Sequence, residues 1–396
     1  MLMLTCELGS LNAAASAMYV AQPAMTQAIT KLEQYFQAEL LLRQRTGSVP
    51  TPAGQLLYER CQRFFHQLQT AIMHMPDRTQ APSEAVAAAR VSRLTTSQVM
   101  ALTGVAKYGS VGLAAQRVGL SVSALHKAAR EIENNVGYAL FSKNKNRLVV
   151  NSIGAELARR LQIAVREMSI ASEEIRSLSG QLKGKILLGS LPMIRSSILG
   201  QAINRTLCLA PDLQFEVQEG VYGTMLSALR KGEIDLLIGA LRNPAPAQDV
   251  IEKGLFTDPY AIVMRQSHPL ATQKATLTAL ARFGWVVQKE GTPVRAALNS
   301  IFEGSALTPR VEVETSSMSL TRSILLERDR LAILSLCQIV IEEKSGLLMP
   351  IAFPIISTGR HIGLTTRKDW KPSASHMIFM ENFYQILADQ MADSSD

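Results

Sequence analysis

The chain has few of the residues that usually announce chemistry. Its four cysteines, Cys6, Cys61, Cys208 and Cys337, are scattered over 396 residues. Such spacing fits neither a metal site nor a disulfide framework, so reduced thiols in a cytoplasmic setting are expected. The six histidines are equally dispersed. There is no GxSxG elbow, no Walker-type phosphate loop and no GxGxxG turn, which leaves hydrolase, nucleotide and dinucleotide chemistry without a motif. Neither an enzyme nor a bound metal or cofactor is expected. Long apolar runs are missing too. Leu331–Ile341 and Gly346–Ile356 are separated by Glu342-Glu343-Lys344, and each falls short of the roughly 20 residues that span a bilayer. The first 24 residues are apolar, but Glu7 interrupts them and no basic leader precedes them, which argues against a signal peptide.

Acidic residues are scarce in one half only. Residues 1–182 carry 19 Lys/Arg against 12 Asp/Glu, whereas residues 183–396 carry 22 against 21. A basic front half and a near-neutral back half point to a polyanion as the front half's partner. The length is enough for two to four domains with proper cores.

What the front half does contain is a repeat at an offset of one hundred positions. Gly9-Ser10 falls on Gly109-Ser110, Ala14-Ala15 on Ala114-Ala115, Leu32-Glu33 on Ile132-Glu133, Leu40-Leu41 on Leu140-Phe141, and Gly54 on Gly154, without a gap. Two copies make a duplicated domain, not a solenoid. Each copy reads as a short helix (Leu11–Met18, Val111–Val118), a tight turn, a second helix and a wing. In the second helix Met25, Ala28, Ile29 and Leu32, or Leu125, Ala128, Ala129 and Ile132, recur at i, i+3, i+4, i+7, the spacing of one buried face. The other face carries Gln22, Thr26, Gln27, Thr30 and Lys31 in copy one. In copy two it carries Ser121, Ser123, His126, Lys127 and Arg130. A helix so built fits a DNA major groove. Arg43 and Arg45, and Lys143, Lys145 and Arg147, sit on the wings, where cations hold phosphates and set register.

Gly-Ser-Leu-x-x-Ala-Ala, Ala21-Gln22-Pro23-Ala24-Met25-Thr26, Leu32-Glu33 and Thr51-Pro52-Ala53-Gly54 together resemble the N-terminal module of LysR-type transcriptional regulators. Members of that family usually carry one such module, and this chain has two. The copies depart from the pattern in opposite ways. Copy two has a helix before its Gly-Ser turn, roughly residues 96–107, where copy one has only Met1–Leu8. Ser121 is placed to cap the second helix and Ala21 is not, although Pro23 suits a first turn. Copy two is therefore expected to be the main DNA-contacting module, with copy one keeping the family-like reading face on a weaker scaffold.

A long helix follows each wing. Leu157, Leu161, Ala164, Met168, Ala171, Ile175, Leu178 and Leu182 form a heptad seam, with a shorter version at Leu57, Cys61, Phe64, Leu68, Ala71 and Met75, so this helix should pair with a partner. The resemblance implies that the partner is a second subunit, giving a homodimer or homotetramer. The back half alternates strands with helices, as a sheet wound with helices does. Its segments Lys185–Gly189, Leu229–Asp235 and His268-Pro269-Leu270 resemble the two-lobed effector domain of the same family. A ligand would lie between the lobes, against Pro192, Met193, Tyr222, Gly223, Thr224, Thr292, Ser316 and Ser317. Their hydroxyls and helix starts suit a small carboxylate. Asp329 and Arg330 stand where the family usually has glycines, which sets two charges beside the expected pocket.

The reading is a multi-domain α and α/β chain: two winged helix-turn-helix modules and a two-lobed, periplasmic-binding-protein-like (type 2) effector domain. The segments are 1–76 (truncated module with short linker helix), 77–92 (linker), 93–150 (second module), 151–182 (linker and dimerisation helix) and 183–396 (effector domain). It implies a ligand-responsive transcription regulator whose partners are double-stranded DNA and a small-molecule effector, with no membrane association. The alternative is a solute-binding or adaptor protein that has lost DNA binding and pairs with other regulators through its helices.

Overall fold

Residues 1–73 and 96–177 pass through the same succession of elements. The first run holds α1 (Leu2–Leu8), α2 (Leu11–Ala17), α3 (Gln22–Phe36), the hairpin β1 (Leu41–Gln44) and β2 (Gly47–Pro50), and the long helix α4 (Pro52–Met73). After α5 (Glu84–Ser92), the second run holds α6 (Thr96–Tyr108), α7 (Val111–Val118), α8 (Val122–Val136), the hairpin β3 (Phe141–Asn144) and β4 (Arg147–Val150), and α9 (Ser152–Ser177). This computed structural model describes the chain outside residues 45–46, 76–81, 145–146, 179, 181, 192–195, 243–246, 356–358 and 393–396.

The residues shared by the two runs do the same structural jobs. Ser10 and Ser110 cap α2 and α7, accepting from Ala13 N and Leu113 N, each at 3.3 Å. The Glu33 carboxylate accepts from Leu40 N at 3.0 Å, and Glu133 from Leu140 N at 2.8 Å, tying the end of α3 or α8 to its hairpin. Thr51 and Asn151 cap the long helices through Gly54 N and Gly154 N and reach back to Glu39 O and Ala139 O. Gly54 and Gly154 press against the Leu40 and Leu140 carbonyls, where a Cβ would collide.

The long helix does find a partner, and that partner is α4 of the same chain. The two helices run antiparallel. Leu68, Ala71 and Ile72 of α4 belong to the core of the second run with Leu157, Leu161 and Ala164. Ala171 and Ile175 of α9 belong to the core of the first, with Leu57. The Arg60 guanidinium, 1% exposed, spans Glu167 at 2.7 Å and Glu174 at 2.9 Å. The seam is shorter than its spacing suggests: α9 ends at Ser177, and Leu178 is half exposed.

The back half has two lobes. Its elements are β5 (Gly184–Ser190), α10 (Ser196–Leu209), β6 (Leu213–Glu219), α11 (Tyr222–Lys231), β7 (Leu236–Ala240), β8 (Val250–Asp258), β9 (Tyr260–Arg265), α12 (Leu277–Arg282), β10 (Gly284–Val287), α13 (Pro293–Phe302), β11 (Arg310–Glu314), α14 (Met318–Glu327), β12 (Arg330–Ser335), α15 (Val340–Lys344), β13 (Leu348–Ile351), β14 (Arg360–Arg367) and α16 (Ala374–Ala392). One sheet has the order β6-β5-β7-β14-β8 and the other β11-β10-β12-β9-β13. The strands β5, β6 and β7 are parallel, and β14 returns antiparallel to β7. Two strands escape the alternation read from sequence. β8 mixes exposed and buried residues without a clean period. β13 is four residues long, includes Pro350, and pairs with β9.

Candidate nucleic-acid interface and effector cavity

The second helix of each run presents one packed face and one open face. In α8, Leu125, Ala128, Ala129 and Ile132 are buried to 3% exposure or less. Ser121, Ser123, His126, Lys127 and Arg130 are all exposed on the other side. The Ser121 hydroxyl accepts from Ala124 N at 3.1 Å and lies 3.1 Å from the Ser123 hydroxyl, so the cap read from sequence is present. Lys127 contacts Glu131 at 3.8 Å, in solvent. In α3, Met25 and Ile29 are buried, and Gln22, Gln27, Thr30 and Lys31 are exposed. Thr26 departs from its expected outward position. It is half buried, and its hydroxyl oxygen is covered and without a partner among the described residues. On the hairpins Arg43, Lys143 and Arg147 are exposed. Arg45 and Lys145 lie outside the described residues.

A cavity of about 290 Å³ opens in the second lobe, with Glu219 of the first lobe at its edge. The second lobe supplies Gln288 at the end of β10, Arg295 in α13, Thr315 to Ser317 leading into α14, and Gln338. Glu219, at the end of β6, comes from the first lobe. Gln338 is 6% exposed, and its Nε2 has no hydrogen-bond partner among the described residues. Such a buried, unmet donor beside a cavity favours an acceptor on whatever fills it. Arg295 brings a cation, held by Glu290 at 2.7 Å and by the Gln288 carbonyl at 3.3 Å.

Of the residues expected at the ligand, Ser316 and Ser317 line this cavity. Ser317 also caps α14 through Leu320 N. Four others fall away from it. Thr292 caps α13, accepting from Arg295 N, which is an ordinary reason for a threonine there. Tyr222 donates to Glu252 at 2.8 Å and stacks under the Arg242 guanidinium. Gly223 and Thr224 lie exposed in the first turn of the same helix. Pro192 and Met193 are outside the described residues. Asp329 and Arg330 do not crowd the cavity. Asp329 pairs with Arg265 and Arg330 with Glu312, and neither lines it. Gln288, Arg295, Gln338 and Glu219 escape the sequence reading. Their shared signal is position, at a strand's carboxyl end or in the turn of helix just beyond one. Among the described residues no group of three or more His, Cys, Asp or Glu side chains is placed to hold a metal. No described helix is long and apolar enough to cross a membrane.

Comparison with known families settles what kind of protein has this architecture. The LysR substrate binding domain matches residues 179–392, and the lysR family of bacterial regulatory helix-turn-helix proteins matches residues 1–55 and 87–155. The chain belongs to the LysR family of transcriptional regulators. The HTH-type transcriptional regulator GalR of Pseudomonas putida is 28% identical over 97% of this chain and 95% of its own length. YdcI of Escherichia coli, an uncharacterised HTH-type regulator, is 24% identical over 70% of this chain and 91% of its own. Among solved structures, a full-length OxyR variant from Pseudomonas aeruginosa is similar in fold, with a TM-score of 0.53 and 20% identity over 74% of this chain and 95% of that one. CbnR in complex with its target DNA has a TM-score of 0.51 and 13% identity over 74% and 100%. This LysR-family chain is a ligand-responsive, DNA-binding transcription regulator and not an enzyme.

In this LysR-family regulator the front half is bolted to the first lobe through charges. Arg166 of α9 reaches Asp235 at 2.8 Å and the Lys185 carbonyl at 2.8 Å. Asp235 is fully buried and also meets His376 at 3.2 Å and Arg367 at 3.8 Å. Burial alone would push the Asp235 carboxyl up. The His376 and Arg166 hydrogen bonds and charges outweigh it and hold that carboxyl well below its usual range. On the other side α4 touches the segment before α16. Arg60 donates to the Lys371 carbonyl at 3.2 Å, Gln67 bonds Asp369, and Lys371 pairs with Glu59 at 2.6 Å. Both long helices are thus coupled to the lobe whose far edge, at Glu219, faces the cavity.

Proposed function

We propose that residues 1–76 and 93–150 are both winged helix-turn-helix modules, joined by a linker at 77–92. In this reading both modules contact DNA, and residues 151–182 connect them to an effector domain at 183–396. The observation that carries it is the open face of α8. Five polar or basic side chains, Ser121, Ser123, His126, Lys127 and Arg130, stand in solvent on a helix whose opposite side is fully packed. Lys127 and Arg130 suit phosphate and guanine, whereas Gln27 and Lys31 on α3 suit adenine and phosphate or guanine. Arg43, Lys143 and Arg147 would take flanking phosphates. The cleft would take a small carboxylate, with Ser316, Ser317, Gln338 and Arg295 as its donors.

The DNA reading is tested by gel shift at rising salt on fragments that the protein retains. Lys127→Ala with Arg130→Ala should weaken binding more than Gln27→Ala with Lys31→Ala. Each pair should also flatten the salt dependence, by about one unit of slope for every phosphate no longer neutralised. Unchanged shifts in both pairs would leave neither helix on the DNA. The effector reading is tested by thermal shift against a panel of small carboxylic acids. Gln338→Leu and Arg295→Ala should abolish any shift that the parent chain shows.

A further inference from the structure

The pairing of α4 with α9 has the reciprocity of a two-fold contact, although both helices belong to one chain. Under the offset of one hundred positions, Arg60 corresponds to Arg160 and Gln67 to Glu167. Arg60 Nη1 donates to Glu167 at 2.7 Å, and Arg160 Nη1 donates to Gln67 at 2.9 Å. These are the same contact seen from each side. Apolar packing repeats the relation. Ala71 sits in the core of the second run and Ala171 in the core of the first. Met75 packs against the second core and its counterpart Ile175 lies in the first. When residue i meets j′ and j meets i′, the interface is isologous, the form taken by a two-fold dimer.

We infer that a single chain carries a complete two-fold DNA-reading head, and that its target is a duplex with two unlike half-sites. The inference rests on the reading of both modules as DNA-binding. A two-fold head places its two recognition elements on half-sites about one helical turn, or a multiple of it, apart. Here the two faces differ in chemistry. Gln27, Thr30 and Lys31 on α3 correspond to Lys127, Arg130 and Glu131 on α8. One half-site should therefore be richer in adenine contacts and the other in guanine contacts, so the operator is not a palindrome. The modules are joined covalently, with only residues 74–95 between α4 and α6. Their pairing is therefore intramolecular and independent of chain concentration.

The test uses the full chain and a duplex it selects from a random-sequence library, followed by footprinting. The parent chain should protect two half-sites of different sequence. Gln27→Ala with Lys31→Ala should lose protection of one half, and Lys127→Ala with Arg130→Ala the other, each with about a 10- to 100-fold loss of affinity. The two double variants are then mixed. If the head lies within one chain, the mixture binds the full duplex with the weakened affinity of its components. Recovery of the parent chain's affinity in the mixture would mean that the halves are read by different chains, and would overturn the inference. A parent chain that protects a single half-site would overturn it too. Protection that neither double variant alters would instead sink the underlying assignment of the reading faces. All four substituted side chains are solvent-exposed, and an unchanged melting curve for each variant checks that the fold is intact.

Discussion

The first and second runs share a plan but not its local support, and their differences fall at helix ends. The second run has glycine at each of its three left-handed positions: Gly109, Gly119 and Gly137, with φ from 72° to 76°. At the three matching positions the first has glycine only at Gly9. Tyr19 and Gln37 adopt φ of 54° and 52° at the other two. The helix α6 has thirteen residues and a capping box made by Thr95 and Gln98, whereas α1 has seven and no side-chain cap. The helix α8 is capped by Ser121, and α3 begins at Ala21 without a side-chain cap. What compensates the first run is the contact between runs. Its core borrows Ala171 and Ile175 from α9, and its helix α4 is anchored by Arg60. The less supported run is tolerated because it is never alone.

The comparison breaks most visibly at the paired arginines. Arg60→Ala is expected to cost about 3–5 kcal/mol, because it removes the 2.7 Å partner of Glu167, 3% exposed, and leaves Arg63 as its remaining ion pair among the described residues. The corresponding Arg160 is more exposed and faces the neutral Gln67 across the seam. Arg160→Ala should cost under about 1 kcal/mol. Urea unfolding followed by circular dichroism measures both. Equal losses would show that the charges buried at Arg60 are not what holds the first run in place.

At the paired glycines the comparison should vanish. Gly54→Ala and Gly154→Ala each drive a methyl into the backbone carbonyl of Leu40 or Leu140. Neither carbonyl can move without opening the hairpin. Both substitutions should lose about 1–3 kcal/mol, and by similar amounts. Thermal melting of the two variants side by side checks this. A large difference between them would mean that one hairpin yields where the other does not.

These contrasts mark what is legible in the chain. The buried stripe at i, i+3, i+4, i+7, the cap at Ser121 and its loss at Ala21 all depend on residues close in sequence, and the structure has them where the spacing puts them, except that Ala28 and Leu32 of α3 are only half-buried. A heptad seam is different. It defines a face and says nothing of what covers it, so the spacing along α9 could not single out α4 as its partner. The charged hub is invisible for a related reason: Asp235 is 69 residues from Arg166 and 141 from His376. The cavity is half legible. Ser316 and Ser317 line it, but Thr292 and Tyr222 have hydroxyls engaged in a cap and a carboxylate contact. A polar residue near a helix start reads the same in either role.

Exchanging the caps sharpens the comparison further. Ser121→Ala removes the acceptor for Ala124 N and should cost about 1 kcal/mol, within the usual range of roughly 0.5–2. Ala21→Ser places an acceptor at the equivalent point of α3 and should recover up to about the same amount. Melting temperatures should move in opposite directions, and a loss in both variants would show that the turn before α3 cannot accept a serine rotamer suited to capping.

The smallest effect is the most specific to the first run. Tyr19 is 98% exposed and occupies a left-handed position in the turn between α2 and α3. A non-glycine residue there loses roughly 1–2 kcal/mol to contact between its Cβ and the backbone. Glycine removes that contact but adds freedom to the unfolded chain, so Tyr19→Gly should gain a net of about 0.5 kcal/mol. The reverse change, Gly119→Tyr, should lose about 1 kcal/mol, since φ at Gly119 is 72°. Melting the two variants beside the parent chain reads both. The exposed ring of Tyr19 has little packing to give up, so a stability loss on Tyr19→Gly would have to come from the unfolded chain. It would show that the added backbone freedom outweighs the relieved Cβ contact, and that the first run has adapted to a residue other than glycine at this turn.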